Sequence, residues 1–222
     1  MIARHQSQAM NMNSITSLID RYTAVWNQPD AHLRSSEIAA LWTPEGRTSH
    51  RLLESCGLAA VKSRVTDAHT KWVLGRDSVF RPTLRITSKN NFVMFNWEMC
   101  SATSNEVASV GLNFLQLDPQ GYIISDWQFP AVPPVPQAAH IASVRSYVEG
   151  WNQSDSSVRR GHIGRTNGGI LRALDRMDGH HDAICFDWEI LNGNRTLATT
   201  SGTGLLLYTS DGCLLNDVLF ER

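Results

Sequence analysis

Apolar positions near the start of the chain recur with helical spacing. Ile15, Leu18, Ile19, Tyr22 and Trp26 fall at i, i+3, i+4, i+7 and i+11, one face of a helix. Asn13 or Ser14 suits its N-cap, and Pro29-Asp30 ends it. A short helix is expected from Glu37 to Trp42, stopped by Pro44-Glu45-Gly46, with a small strand over Arg47 to Leu52. Leu58, Val61, Val65, Ala68 and Trp72 make the clearest apolar stripe, and Gly75 stops it.

From Ser78 the period changes to two. Val93, Phe95, Trp97 and Met99 face one way, and Met94, Asn96 and Glu98 the other. Asn90-Asn91 and Asp118-Pro119-Gln120-Gly121 are turn signals between strands. The first half therefore reads as helix, helix, strand, helix, then about four antiparallel strands. A second helical stripe follows at Ile141, Val144, Tyr147, Val148 and Trp151. Beyond it, "GHIGRTNGG" runs almost directly into strands, with hairpin turns expected at Asp178-Gly179, Asn192-Gly193 and Asp211-Gly212.

The two halves match. "WNQPD" at Trp26 to Asp30 recurs as "WNQSD" at Trp151 to Asp155, an offset of 125 residues. At a constant offset of 91, Phe95, Trp97, Glu98, Gly111, Leu115, Gly121, Asp126 and Phe129 match Phe186, Trp188, Glu189, Gly202, Leu206, Gly212, Asp217 and Phe220 without a gap. Two blocks in the same order point to a duplication whose second copy has lost about 34 residues, the difference between the offsets. Between them "PAVPPVPQAAH" favours an extended polyproline linker. The expected organisation is a complete domain over 1–130, a proline-rich linker over 131–139 and a truncated domain over 140–222.

Composition narrows the function classes. A chain of 222 residues with 42% hydrophobic and 18% charged residues builds a real core. A net charge of -1, with basic residues scattered and Arg159-Arg160 read as a solvated turn, argues against a nucleic-acid or acidic-membrane surface. Cys56, Cys100, Cys185 and Cys213 have no metal-site spacing, and Cys100 and Cys185 sit in apolar strand-like runs as small buried thiols. "MIARHQSQAMNMNS" lacks the apolar run of a signal peptide, and no segment approaches a membrane span, so a cytoplasmic location is expected. No GxGxxG, P-loop, HExxH or GxSxG pattern is present, and no cofactor or metal is expected.

"YTAVWNQPD", "LWTPEG", "GLAAVKSRVTDAH", "FNWEM", "VGLNFLQLDPQGYI" and "SDWQF" together resemble the nuclear transport factor 2-like superfamily, especially its SnoaL-like, polyketide cyclase-like branch. The likeness spans about Ile15 to Phe129, and a shortened version runs from His140 to Phe220. It implies an α+β fold class: two tandem cone-shaped domains with helices packed on a curved antiparallel sheet, the second lacking part of its helical layer. Because many members dimerise through their sheets, it also implies an intramolecular pseudo-dimer in which only the first copy keeps a full cavity. The implied activity is a cofactor-free cyclisation or isomerisation of an apolar, carbonyl-bearing ligand, polyketide- or terpenoid-like in build. The superfamily also holds non-catalytic binders, so a ligand-binding or assembly protein is the second class.

Enzymes of this family use a buried carboxylate in an apolar cone, where burial raises its pKa toward neutrality and makes it a proton carrier. Relatives often place acids where this chain has the amides Asn113 and Gln128. The remaining candidates to move a proton are Asp126 or His50, with Asn113 as hydrogen-bond donor to a ligand oxygen. Asp126 and Glu98 recur as Asp217 and Glu189 in a copy expected to lack a full pocket, which favours a structural role for them. Tyr22, Trp26, Trp42, Trp72 and Trp97 would shape the cavity or simply pack the core, and His69 would flank its mouth. His180-His181 is expected to lie in a solvated turn rather than a metal site.

Overall fold

A computed structural model describes residues 12–131, 135–154 and 169–222. The N-terminal stretch, the centre of the proline-rich segment, Asp155, Arg159-Arg160 and most of "GHIGRTNGG" lie outside the described residues. The chain divides into two compact units, Met1–Val132 and Pro133–Arg222.

In the first unit, α1 spans Met12–Asn27 and buries Ile15, Leu18, Ile19, Tyr22, Val25 and Trp26, the stripe its spacing predicts. The next helix differs from expectation: α2 spans Ala31–Ala39, not Glu37 to Trp42. Asp30 caps it, accepting hydrogen bonds from the backbone N–H groups of His32 (2.8 Å) and Leu33 (2.9 Å). This cap starts the helix right after Pro29, and only Arg34 and Ile38 are buried, too short a stripe to read by periodicity.

Trp42 is consequently the first residue of β1, Trp42–His50, followed by β2, Leu53–Cys56. Pro44-Glu45-Gly46 does not stop an element; it lies within β1 where the register shifts between Trp42 and Arg47. Gly46 is required there, since a Cβ would sit 2.9 Å from Thr43 O and from the Trp42 ring. Helix α3, Leu58–Ala68, buries Val61, Val65 and Ala68 and continues as a π-helical turn over His69–Leu74.

Four strands follow: β3 (Ser78–Lys89), β4 (Phe92–Ser101), β5 (Val107–Leu117) and β6 (Ile123–Pro130). The six-stranded sheet has the order β2-β1-β6-β5-β4-β3. All neighbours are antiparallel except β1 and β6, which run parallel and align Thr48 with Asp126 and His50 with Gln128. The core of this unit packs the α1 stripe, Ile38, Trp42, Val61 and Val65 against Val93, Phe95, Leu115 and Ile123 of the sheet.

The second unit contains α4 (Ala138–Gln153) and four antiparallel strands: β7 (Ile170–His180), β8 (Ala183–Leu191), β9 (Ala198–Tyr208) and β10 (Leu214–Glu221). Their order is β10-β9-β8-β7. Val144 and Trp151 of α4 pack on Leu171, Phe186 and Trp188, whereas Ile141 is exposed. Asp178-Gly179 lies inside β7 rather than in a turn, because the chain reverses at His181-Asp182 with His181 at φ +52°. His180 is thereby buried, not solvated.

The two sheets keep one register. Phe95 pairs with Asn113, Trp97 with Gly111 and Leu115 with Asp126. Their matches pair identically: Phe186 with Gly204, Trp188 with Gly202 and Leu206 with Asp217. The glycine opposite each tryptophan leaves room for the ring; a Cβ on Gly111 would lie 2.3 Å from Trp97, and one on Gly202 would lie 2.5 Å from Trp188.

Candidate active site

Between α1, α3 and the sheet of the first unit lies a cavity of about 410 Å³. Volumes of that size hold small organic ligands. Phe95, Trp97 and Met99 of β4 line it, as strand alternation predicts, and Glu98 points to the other face of the sheet. Tyr22 and Trp26 enter from α1, Arg64 from α3, and Trp72 from the π-helical turn.

At the deep end a polar network closes on one carboxylate. Asp126 is 1% exposed. Its Oδ2 accepts from the Tyr22 hydroxyl at 2.7 Å, the Gln128 amide at 2.8 Å and the Thr48 hydroxyl at 2.9 Å. Its Oδ1 accepts from the Asn113 amide at 3.0 Å. The same Asn113 nitrogen donates to the Tyr22 oxygen at 2.8 Å, and the Trp97 indole donates to Asn113 Oδ1 at 2.8 Å.

Burial raises the Asp126 carboxyl to about 6; the hydrogen bonds from Tyr22, Gln128 and Thr48 and the charge of Arg64 act against that rise. The Tyr22 hydroxyl is held well above its ordinary value, by burial first and then by the Asp126 charge, so it stays protonated at neutral pH. Asp126 does not itself line the cavity. Tyr22, Asn113 and Gln128 do, and they connect the acid to it.

Of the residues expected at a site, the fold brings Tyr22, Trp26, Trp72, Trp97 and Asn113 to the cavity wall and Asp126 directly behind it. Trp42 does not reach the wall: it is 1% exposed and packs its ring 5.4 Å from that of Tyr22, as core. His50 lies at the end of β1, where its Nδ1 accepts from the Leu52 N–H at 3.3 Å, and it does not line the cavity. His69 does not flank the mouth. It is buried, neither ring nitrogen is hydrogen-bonded among the described residues, and burial and the Arg34 charge lower its pKa, keeping it neutral.

Thr48, Arg64 and Arg76 carry no local signal of a site in the sequence. The pairing of β1 with β6 delivers Thr48, and nothing local announces a parallel contact between strands so far apart in sequence. Gln128, an amide where relatives often have an acid, stands two residues from Asp126 on the same strand face.

The second unit repeats part of this arrangement. Tyr147 donates to Asp217 at 2.7 Å, in the positions that match Tyr22 and Asp126. Here the pair is only half-buried, and Asn113 and Gln128 are replaced by Gly204 and Leu219. A groove of about 670 Å³ lined by Tyr147, Trp151, Tyr208 and Asp217 adjoins it.

The repeated pentapeptide also acquires a role. Asn27 donates to Phe80 O at 2.7 Å and accepts from Phe80 N–H at 2.8 Å, clamping α1 to strand β3. Asn152 does the same to Leu171 of β7, at 3.0 and 2.9 Å.

Among solved structures the chain is similar to a protein of the SnoaL-like family from Agrobacterium tumefaciens, provisionally assigned as an isomerase, at 20% identity. That match covers 55% of this chain and 100% of the other, with a TM-score of 0.50. Others are a provisionally assigned polyketide cyclase from Sinorhizobium meliloti (12% identity, 55% and 98% covered, TM-score 0.40) and an NTF2-like protein of unknown function from Exiguobacterium (19%, 51% and 97%, 0.42). No family model and no curated protein matches the chain. The likeness shows the α+β fold of these NTF2-like proteins over about half the chain, here with a mixed sheet and a second, four-stranded one. Among the described residues no helix is long and apolar enough to cross a membrane.

Proposed function

We propose that the first unit is a small-molecule enzyme performing a cofactor-free isomerisation or cyclisation on an apolar, carbonyl-bearing ligand of polyketide- or terpenoid-like build. One observation carries this reading: a buried carboxyl raised to about 6 is linked to the cavity by a 2.7 Å hydrogen bond from Tyr22. A base near neutrality suits removal of a proton α to a carbonyl. The Tyr22 oxygen takes the proton from the ligand carbon as its own hydrogen passes to Asp126 Oδ2. The electron pair left by the broken C–H bond moves onto the carbonyl oxygen, which a Gln128 N–H stabilises by turning to it from its long 3.2 Å contacts with the Tyr22 and Thr48 oxygens. Return of the proton to a different carbon isomerises the ligand; attack by the enolate carbon on a second carbonyl closes a ring.

The test is hydrogen exchange on a panel of apolar ketones, beginning with 2-tetralone, in deuterium oxide. Deuterium uptake at the α-carbon, read by mass spectrometry, should exceed the buffer rate by about 10² or more, the usual scale of positioned acid–base catalysis. Asp126→Asn and Tyr22→Phe should return it to the buffer rate. Ketones that bind without exchanging would overturn the enzyme reading.

A second reading has its own support. The Tyr–Asp pair recurs at the same length in the second unit, without the amides around it. That recurrence favours a clasp between helix and sheet in a non-catalytic ligand-binding or assembly protein. The shared strand register and the paired Asn27 and Asn152 clamps support descent of the two units from one duplicated unit.

A further inference from the structure

The charge lining the cavity is of one sign. Arg64 and Arg76 both contribute to the wall, and among the described residues no aspartate or glutamate does. Among the described residues neither guanidinium forms an ion pair or donates a side-chain hydrogen bond, and Arg64 Nε is buried without any partner. Their contacts are aromatic: Arg64 Cζ stands 5.3 Å from the Trp26 ring centroid and Arg76 Cζ 4.5 Å from that of Trp72. A guanidinium presents five donors in a planar fork, and leaving its N–H groups out of water unpaired is costly. Burial accordingly lowers the Arg64 pKa. Asp126 does not meet this need, since its two oxygens already accept four side-chain donors and no ion pair joins it to Arg64. Asp67 also attracts Arg64, but it is exposed and outside the cavity lining.

We propose that the cavity is selective for an organic carboxylate. Its anionic head is held by Arg64 and Arg76, and its apolar body lies against Trp26, Trp72 and Trp97 with the reacting end toward Tyr22. The carboxylate would supply an acceptor for the buried Arg64 Nε, and planar fork-to-carboxylate pairing is the geometry at which arginine outperforms lysine. The tryptophans hold the two forks by cation–π contact before any ligand arrives, which reduces the ordering cost of binding. The proposal rests on the cavity being the ligand site, and it names the class of ligand.

Two probes of one shape separate charge from fit: 2-naphthoate and its neutral isostere 2-naphthamide, titrated into the full chain at pH 7.5 by calorimetry. Naphthoate should bind about 10-fold tighter or more, the ratio expected of a charge-assisted hydrogen bond. Arg64→Gln should bring the two affinities together, with the larger loss for naphthoate, and Arg64→Lys should restore only part of the preference. A cavity-filling Ser109→Trp should weaken both probes, which places them in the cavity. Equal affinity of the two probes for the unmodified protein would overturn the carboxylate proposal while leaving the cavity standing as a site for neutral ligands. If neither probe binds, the cavity as ligand site fails and the proposal with it. Carboxylate preference without any deuterium exchange would support the proposal and count against catalysis alone.

Discussion

The Tyr22 hydroxyl donates a 2.7 Å hydrogen bond to Oδ2 of Asp126, joining the first helix to the last strand of its unit across 104 residues of chain. The bond couples three properties: the docking of α1 on the sheet, the ionisation of a buried acid and the path from that acid to the cavity. Each can be measured separately.

Asp126 should make stability fall with rising pH. Its folded pKa, about 6, lies above the ordinary 3.8, so the fold prefers the neutral acid. That contribution is complete below about pH 4 and is lost as pH rises through 6, a change of about 3 kcal/mol by linkage. Chemical denaturation of Asp126→Asn between pH 4 and 7 should lack this slope. Parallel pH profiles for the two proteins would refute the raised pKa.

Tyr22→Phe removes the first of the hydrogen bonds that hold the Asp126 pKa down. The carboxyl should then titrate at a higher pH by carbon NMR, and the fold should lose about 1.5–3 kcal/mol, as for a bond to a charged group. Tyr147→Phe should cost the second unit less, since the Tyr147–Asp217 pair is only half-buried. A downward shift of Asp126 in Tyr22→Phe would contradict the assigned network.

The asparagine of the repeated pentapeptide should matter more than its aspartate. Asn27→Ala deletes two hydrogen bonds to β3, and Asn152→Ala two to β7, each loss about 2 kcal/mol at roughly 1 kcal/mol per bond. Asp30→Ala removes a helix cap, about 1 kcal/mol. Urea unfolding midpoints should rank the three accordingly, and an Asp30 variant weaker than the Asn27 variant would reverse the assignment.

Gly111→Ala should close part of the cavity. The added Cβ meets Trp97 ring atoms at 2.3 to 2.7 Å, so the indole must move and its bond to Asn113 must break. Ligand affinity should fall together with stability, the latter by about 1–3 kcal/mol for an overpacked site. Gly202→Ala should be worse, because its Cβ meets the Phe220 carbonyl, a backbone atom, at 1.8 Å.

Much of this was legible beforehand, where local periodicity was strong. The α1 and α3 stripes, the alternation of β4 and the Asp211-Gly212 turn all match the structure. Misreadings fell where a cap or bulge overrode composition. Asp30 starts α2 six residues before Glu37, and Pro44-Glu45-Gly46 bends a strand instead of ending a helix. The side-chain chemistry of His50 and His69 suits a site, yet the end of β1 and the π-helical turn carry both away from the cavity.

By itself the sequence determined the elements and their repetition, because helical and strand periods and matched offsets are properties of neighbours along the chain. Only the tertiary structure decided that Thr48, Gln128, Asn113 and Tyr22 converge on Asp126, and that Arg64 and Arg76 share one wall. The convergence depends on a parallel pairing of β1 with β6 and on helices laid across a curved sheet. Those contacts join positions tens of residues apart, and it is burial at that junction that shifts the acid's pKa and leaves Arg64 Nε without a partner among the described residues.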